Sequence, residues 1–187
     1  MVATISRAFY RHATWRIIIP MLLLFAGYFW VFNFSSLPFS NPALIAAGCG
    51  EGLLDLRPYY NASAAHQALD CYGNRGRAIY QRFLVADMSF VLIYGSGFTL
   101  LLSRLLASLT TPASRWRIAN LLPLSVAIAD AMENILLFTM LAAYPRFLPM
   151  LGDLAGLATL LKGVLTVASL ATLVGCVGTL LWRRRQQ

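Results

Sequence analysis

Residues 118–144 read IANLLPLSVAIADAMENILLFTMLAAY, an apolar stretch that contains Asp130, Glu133 and Asn134. A helix of this length can cross the roughly 30 Å hydrocarbon core of a bilayer. Positions i, i+3 and i+4 of a helix share one face, so these three polar side chains should project together. The opposite face, which we expect to meet lipid, carries Leu121, Ile128, Met132 and Ile135.

Three further stretches are also apolar and long enough to span a bilayer, and they are residues 17–34, 83–106 and 154–182. The chain of 187 residues is 59% hydrophobic and only 12% charged, whereas soluble domains carry about 25% charged residues. We therefore predict an all-α polytopic membrane protein. Residues 1–187 should form a single membrane domain, a four-transmembrane-helix bundle with one exported loop at residues 35–82.

The net charge of +8 is distributed unevenly between the two ends of the predicted spans. One end carries Arg7, Arg11, Arg16, Arg104, Arg115, Arg117, Arg183, Arg184 and Arg185. The loops of the other end carry Glu51, Asp55, Asp70 and Asp153. This positive-inside pattern predicts a multi-pass protein of the bacterial inner (cytoplasmic) membrane with both termini cytoplasmic. It also accounts for the basic residues without a nucleic-acid partner.

The exported loop contains Cys49 and Cys71, whereas Cys176 lies inside the fourth span. In an oxidising compartment a disulfide between Cys49 and Cys71 would close a loop of about 20 residues, which stabilises a fold by roughly 3 kcal/mol. Between the two cysteines, Ser63 is the expected cap of a helix over 64–72. The sequence Gly-Asn-Arg-Gly at 73–76 then predicts a turn.

Lys162 lies on a polar stripe of the fourth span, which carries Thr159, Lys162, Thr166, Ser169 and Cys176. At about 1.5 Å per residue, Lys162 lies roughly 9 Å outside the midplane and Glu133 roughly 4–5 Å outside it. We therefore expect a pair between Lys162 and Glu133, with Asp130 as the other acid within reach. Each acid near the centre costs about 2.5–3.5 kcal/mol, and each apolar residue returns only about 0.3–0.6 kcal/mol. The polar face should consequently be buried against other helices.

Asp87 and Tyr94 share a face of the second span, about one to three turns below its outer end. We expect them at the entrance of an outward-opening cavity whose floor is the Asp130, Glu133 and Lys162 cluster. The predicted ligand-binding residues are Asp87, Tyr94, Asp130, Glu133, Asn134 and Lys162. Three acids against one lysine exceed what a single structural pair requires.

This imbalance favours a site for a small molecule, a lipid headgroup or a cation. Two alternatives remain open. The charges of a structural or assembly subunit would serve only to fix helix pairing, whereas a proton-coupled transporter or an intramembrane enzyme would use them in its mechanism. A monomeric transporter is disfavoured because the chain has no internal repeat.

The sequence offers no catalytic residue, metal ligand set or cofactor motif. His12 and His66 fall outside the spans, and no histidine lies near Ser169, so neither a metal centre nor a Ser-His-Asp hydrolase is predicted. We expect membrane lipids as partners. The small residues Ala171 and Gly175 of the fourth span suit packing within the bundle, or alternatively a homodimer face.

Two segments resemble a pattern of small four-span integral membrane proteins of bacteria. They are Gly76-Arg77-Ala-Ile-Tyr80-Gln-Arg-Phe-Leu-Val-Ala-Asp87 and Asp130-Ala-Met-Glu133-Asn134. The resemblance covers the second and third spans and the end of the exported loop. It implies the architecture and the choice of residues, and it implies no activity.

Overall fold

The computed structural model describes residues 2–186, which form an all-α fold. The α-helices are α1 (Val2–His12), α2 (Trp15–Phe34), α3 (Asn41–Ala47), α4 (Ala62–Leu109), α5 (Leu122–Ala143) and α6 (Pro149–Arg184). Short 3-10 helices occupy Leu54–Leu56 and Arg115–Leu121. Helices α2, α4 and α6, and the segment Arg115–Ala143 that ends in α5, are long and apolar enough to cross a membrane. They overlap the four predicted spans.

Helix α4 is the element around which the other long helices pack. It contacts α2, α5 and α6, and α5 also packs along α6. Helices α2 and α6 have no substantial packing contact with each other. A gap therefore runs between these two helices along one side of the bundle.

The α5 helix presents its polar residues inward, as its sequence predicts. Asp130, Glu133 and Asn134 are buried, whereas Ile128 and Met132 on the other face are more than half exposed. Two acids are costly to insert into hydrocarbon, so a polar face of this kind is expected to be buried within the protein.

Helix α4 extends well beyond the predicted second span. It begins after Asn61, whose side chain accepts a hydrogen bond from the Ala64 amide, so the expected cap at Ser63 is wrong by two residues. The helix is interrupted at Gly73, where φ is 59°. Glycine adopts this conformation without the steric penalty that a Cβ atom brings, which explains the break within the predicted turn.

The segment between α2 and α4 is folded against the helices. Ser40 caps α3 by accepting a hydrogen bond from the Ala43 amide. Cys49 and Cys71 form the expected disulfide, with their Cα atoms 5.5 Å apart. Leu44 and Leu54 are completely buried in the core at this end of the bundle. This core fixes the loop over the ends of the long helices.

Two glycines of α6 allow the loop backbone to approach the helix closely. A Cβ atom at Gly156 would lie 1.7 Å from the carbonyl oxygen of Tyr60, and one at Gly152 would lie 2.6 Å from the Cα of Ala62. Asp153 adds a hydrogen bond of 2.9 Å from the Ala62 amide to its carboxylate. The chain around Tyr60 is thereby held directly against α6.

The opposite end of the bundle holds a second buried polar group. The Ser6 hydroxyl of α1 donates to the Asn120 side-chain oxygen at 2.7 Å, and the Asn120 amide donates to Ser103 of α4 at 2.8 Å. The Tyr10 hydroxyl donates to the Arg117 carbonyl. These contacts attach the basic α1 helix to the end of α4 and to the 3-10 helix that precedes α5.

Candidate functional site

Lys162 of α6 contacts both acids of α5. Its Nζ lies 2.6 Å from Glu133 Oε2 and 3.0 Å from Asp130 Oδ1. The sequence left open which acid the lysine would reach, and the structure shows both contacts. Two carboxylates around one ammonium leave this group with one excess negative charge when all three are ionised.

Glu133 is completely buried and takes two further hydrogen bonds. Tyr60 of the loop donates to Glu133 Oε1 at 3.1 Å, and Thr159 of α6 donates to the same oxygen. Burial and the adjoining Glu133 carboxylate raise the pKa of the Tyr60 phenol, which keeps it protonated as a donor. Glu133 is therefore fixed from α6 and from the loop together.

Asp87 and Tyr94 of α4 each form a hydrogen bond with a different residue of α5. Asn134 Nδ2 donates to Asp87 Oδ2 at 2.6 Å, and the Tyr94 hydroxyl donates to Asp130 Oδ2 at 2.8 Å. Asp87 is only 4% exposed. Tyr94 consequently belongs to the floor beside Asp130, which corrects its predicted place at the entrance.

A cavity of about 620 Å³ adjoins this polar group. Its polar lining includes Asp55, Asp87, Asp130, Thr159, Lys162, Thr166 and Ser169. Its aromatic lining comprises Phe25, Phe29, Phe32, Phe83, Phe90, Tyr94 and Phe98. Cavities of about 300–1,000 Å³ with an apolar wall and a few polar groups are typical of small-molecule sites.

Helices α2 and α6 form opposite sides of this cavity. Phe25 and Phe29 of α2 and Leu170 of α6 belong to its lining. Because these two helices do not pack against each other, the cavity is open sideways along the gap between them. The sequence predicted an opening between the second, third and fourth spans only, and α2 was not expected to contribute a wall.

The cap segment, residues 53–58, lies over the loop end of the cavity and contributes Asp55 and Arg57 to its lining. Arg57 forms an ion pair with Glu51. Asp55 Oδ1 is buried and has no hydrogen-bond partner within residues 2–186. Burial raises the pKa of the Asp55 carboxyl to about 7; Lys162 opposes this shift, and Glu133 and Asp130 add to it.

The structure brings together the predicted Asp130, Glu133 and Lys162, with Asp87 and Asn134 beside them. Sequence reasoning missed Asp55, Tyr60 and the aromatic wall from α2. It also missed that Thr159 donates a hydrogen bond to Glu133. Asp55 was assigned to the loop acids because nothing in its spacing relates it to a span. The one available signal was its position among the apolar residues Leu53, Leu54 and Leu56, which is unusual for a solvated acid.

No three carboxylates of the cavity lie close enough together to share a metal ion. Within residues 2–186, the only group of three histidine, cysteine or acidic side chains close enough to share a metal ion is Cys49, Glu51 and Cys71. This group lies outside the cavity, and its two sulfur atoms are already bonded to each other in the disulfide.

Comparison with known proteins gives no relative: no family model, no curated protein and no solved structure matches the chain.

Proposed function

We propose that this protein is an integral membrane protein that binds a small amphiphilic molecule in the cavity between α2, α4, α5 and α6. The observation that carries the proposal is the combination of a charged wall and an aromatic wall around one space of about 620 Å³. A polar group bound against Asp87, Asp130 and Lys162 would leave the apolar part of the molecule against the phenylalanines. Polar residues at membrane depth are costly and are usually retained for such a task.

The lateral gap between α2 and α6 gives a membrane-dissolved molecule a route to the polar group without passing through water. A lipid or another amphiphile would enter with its apolar part still among the acyl chains. The cap segment would cover its polar end on the loop side. This arrangement favours a ligand that partitions into the bilayer.

The proposed location is the bacterial inner membrane, with both termini in the cytoplasm and the cap segment outside. Its support is the positive-inside distribution of the arginines. The disulfide between Cys49 and Cys71 agrees with this orientation because disulfides persist in oxidising compartments.

The test is native mass spectrometry of the protein extracted from its own membranes. Gly163 lines the cavity, and a Cβ atom there meets nothing within 4 Å, so Gly163→Phe can occupy the cavity without disturbing the backbone. Gly178→Phe is the matched control on the same helix, since Gly178 is equally unobstructed and does not line the cavity. We expect a bound molecule of fixed mass on the wild type and on Gly178→Phe that is lost from Gly163→Phe. A bound mass unaffected by Gly163→Phe would contradict the proposal.

A structural or assembly role is the second candidate, and one observation favours it. Lys162 and Glu133 form their ion pair and hydrogen bonds with protein groups alone, as expected of residues that only fix helix pairing. Replacement of Asp130, Glu133 and Lys162 together by leucine distinguishes the two roles. Retained stability together with the same bound mass would show that these charges only fix helix pairing, and loss of the bound mass from a folded variant would show that they hold the ligand.

A further inference from the structure

The charges around the cavity are unbalanced in a way that specifies the ligand. Asp55, Asp87 and Asp130 line the cavity, and Glu133 adjoins it through Lys162. Four carboxylates thus surround a single lysine. The other cation of the lining, Arg57, is already paired with Glu51.

Lys162 is not free to neutralise the remaining acids. Asp130 and Glu133 both lie within 3.0 Å of its ammonium, so its charge is already more than compensated. Asp87 and Asp55 consequently have no cationic partner among residues 2–186. An anionic group entering the cavity would meet a net negative field, which makes a phosphate or carboxylate ligand unfavourable.

Both acids without a cationic partner have acceptor capacity left. Asp87 is 4% exposed and accepts a single hydrogen bond, from Asn134, through Oδ2. Asp55 Oδ1 is buried and accepts none. Buried acceptors without partners are rare in proteins, because each has lost its hydrogen bonds to water without a replacement. A bound cation would satisfy both groups.

The aromatic part of the lining indicates which kind of cation fits. Aromatic rings attract cations through their negative faces, and Phe25, Phe90 and Phe98 belong to this part of the lining. A bare metal ion needs several oxygen ligands at one point, whereas no three carboxylates of this cavity lie close enough together to share one. The volume of about 620 Å³ also exceeds what a metal ion occupies.

We propose that the ligand is an organic cation with a large apolar body, whose cationic centre lies beside Asp55 and Asp87 and whose body lies against the phenylalanine wall. This inference rests on the proposed function, since it names the chemical class that the same cavity binds. It narrows the ligand to lipophilic amines and quaternary onium compounds.

Tetraphenylphosphonium and tetraphenylborate provide a direct test, since the two ions share size and shape and differ in the sign of their charge. Binding of radiolabelled tetraphenylphosphonium is measured by equilibrium dialysis on the whole protein in phosphatidylcholine nanodiscs, with empty nanodiscs as the blank. We expect saturable binding that tetraphenylborate does not displace from the protein. Gly163→Phe should abolish this binding, and Gly178→Phe should leave it unchanged.

Asp55→Asn and Asp87→Asn should each weaken tetraphenylphosphonium binding at least about tenfold, because each removes one charge that faces the cation. Asp87→Asn alters the contact with Asn134 and can prevent folding. In that case Asp55→Asn, in the cap segment, still tests the inference. Absence of saturable binding, equal competition by tetraphenylborate, or full affinity in a folded Asp55→Asn would overturn the assignment to a cation. These failures leave the proposed function intact if the native bound mass still responds to Gly163→Phe. Loss of that response would remove both.

Discussion

At the scale of single residues, the central contact is the one between Lys162 and its two acids. Lys162 donates to Asp130 and lies within 2.6 Å of Glu133, and the Lys162 side chain is only 15% exposed. Removing one partner of such a buried pair leaves an uncompensated charge, which typically costs about 3–5 kcal/mol. The group should therefore behave as a unit.

We expect Glu133→Ala and Lys162→Ala each to destabilise the protein strongly, and the double variant to lose less than their sum. The coupling free energy should be about 1–3 kcal/mol in a double-mutant cycle, measured by unfolding in detergent. Thr179→Ala is a suitable control, because Thr179 is exposed on α6 and its hydroxyl bonds only to its own helix. Additive effects of the two substitutions would show that the pairing has no energetic role.

Asp55 should make stability depend on pH in the absence of ligand. Its pKa of about 7 in the folded protein exceeds the value of about 3.9 expected in the unfolded chain. The folded state therefore binds the proton more tightly, so stability is highest below about pH 4 and decreases as pH rises through about 7. The carboxylates of Glu133 and Asp130 oppose the ionisation of Asp55, and Lys162 favours it.

Asp55→Asn removes this ionisation while keeping the side-chain shape. At pH 8 the variant should have a Tm about 2–8 °C above that of the wild type, and below about pH 4 the two should agree closely. The difference between the two pH profiles gives the contribution of Asp55 alone, because the other acids are the same in both proteins. Parallel profiles of wild type and variant would show that Asp55 ionises as freely as a solvated acid.

At the scale of elements, the site depends on a close contact between the loop and α6. The Tyr60 carbonyl occupies the space that a side chain at Gly156 would need. We expect Gly156→Ala to displace the loop, break the hydrogen bond from Tyr60 to Glu133, and destabilise the protein by about 1–3 kcal/mol.

Gly163→Ala is the matched control for this substitution. Both glycines lie in α6, and a Cβ atom at Gly163 meets nothing within 4 Å. Alanine there should raise stability slightly through its higher helix propensity. Thermal unfolding of the two variants measures the contrast, and equal effects would indicate that the loop does not rest on α6.

The elements themselves were largely predictable from the sequence, whereas the complete site was not. Hydrophobic length predicted the long helices, and the i, i+3, i+4 spacing placed Asp130, Glu133 and Asn134 on one buried face. Asp55 and Tyr60 could not be assigned, because their positions depend on Gly156 and on a core formed by residues distant in sequence. The aromatic wall from α2 was missed for a related reason. A uniformly apolar helix has no pattern that distinguishes its cavity face from its lipid face.

At the scale of the whole molecule, the disulfide provides a test of the proposed orientation in the membrane. If residues 49–71 face an oxidising compartment, Cys49 and Cys71 should be bonded in cells, so that Cys176 alone reacts with a thiol reagent after denaturation without reductant. The paired Cys49→Ser and Cys71→Ser variant should lose about 3 kcal/mol of stability. Three reactive thiols in protein taken directly from cells would place the loop on the reducing side.

At this scale we propose that four helices and a folded loop line one amphiphile-binding cavity that is open between α2 and α6. The most direct measurement is a high-resolution density map of the protein in nanodiscs of its native lipid, for the wild type and for Gly163→Phe. We predict an elongated density in the wild type that lies along the gap between α2 and α6 and ends beside Asp55 and Asp87. It should be absent from Gly163→Phe. A collapsed cavity, with α2 packed directly against α6 and no density between them in the wild type, would contradict the account.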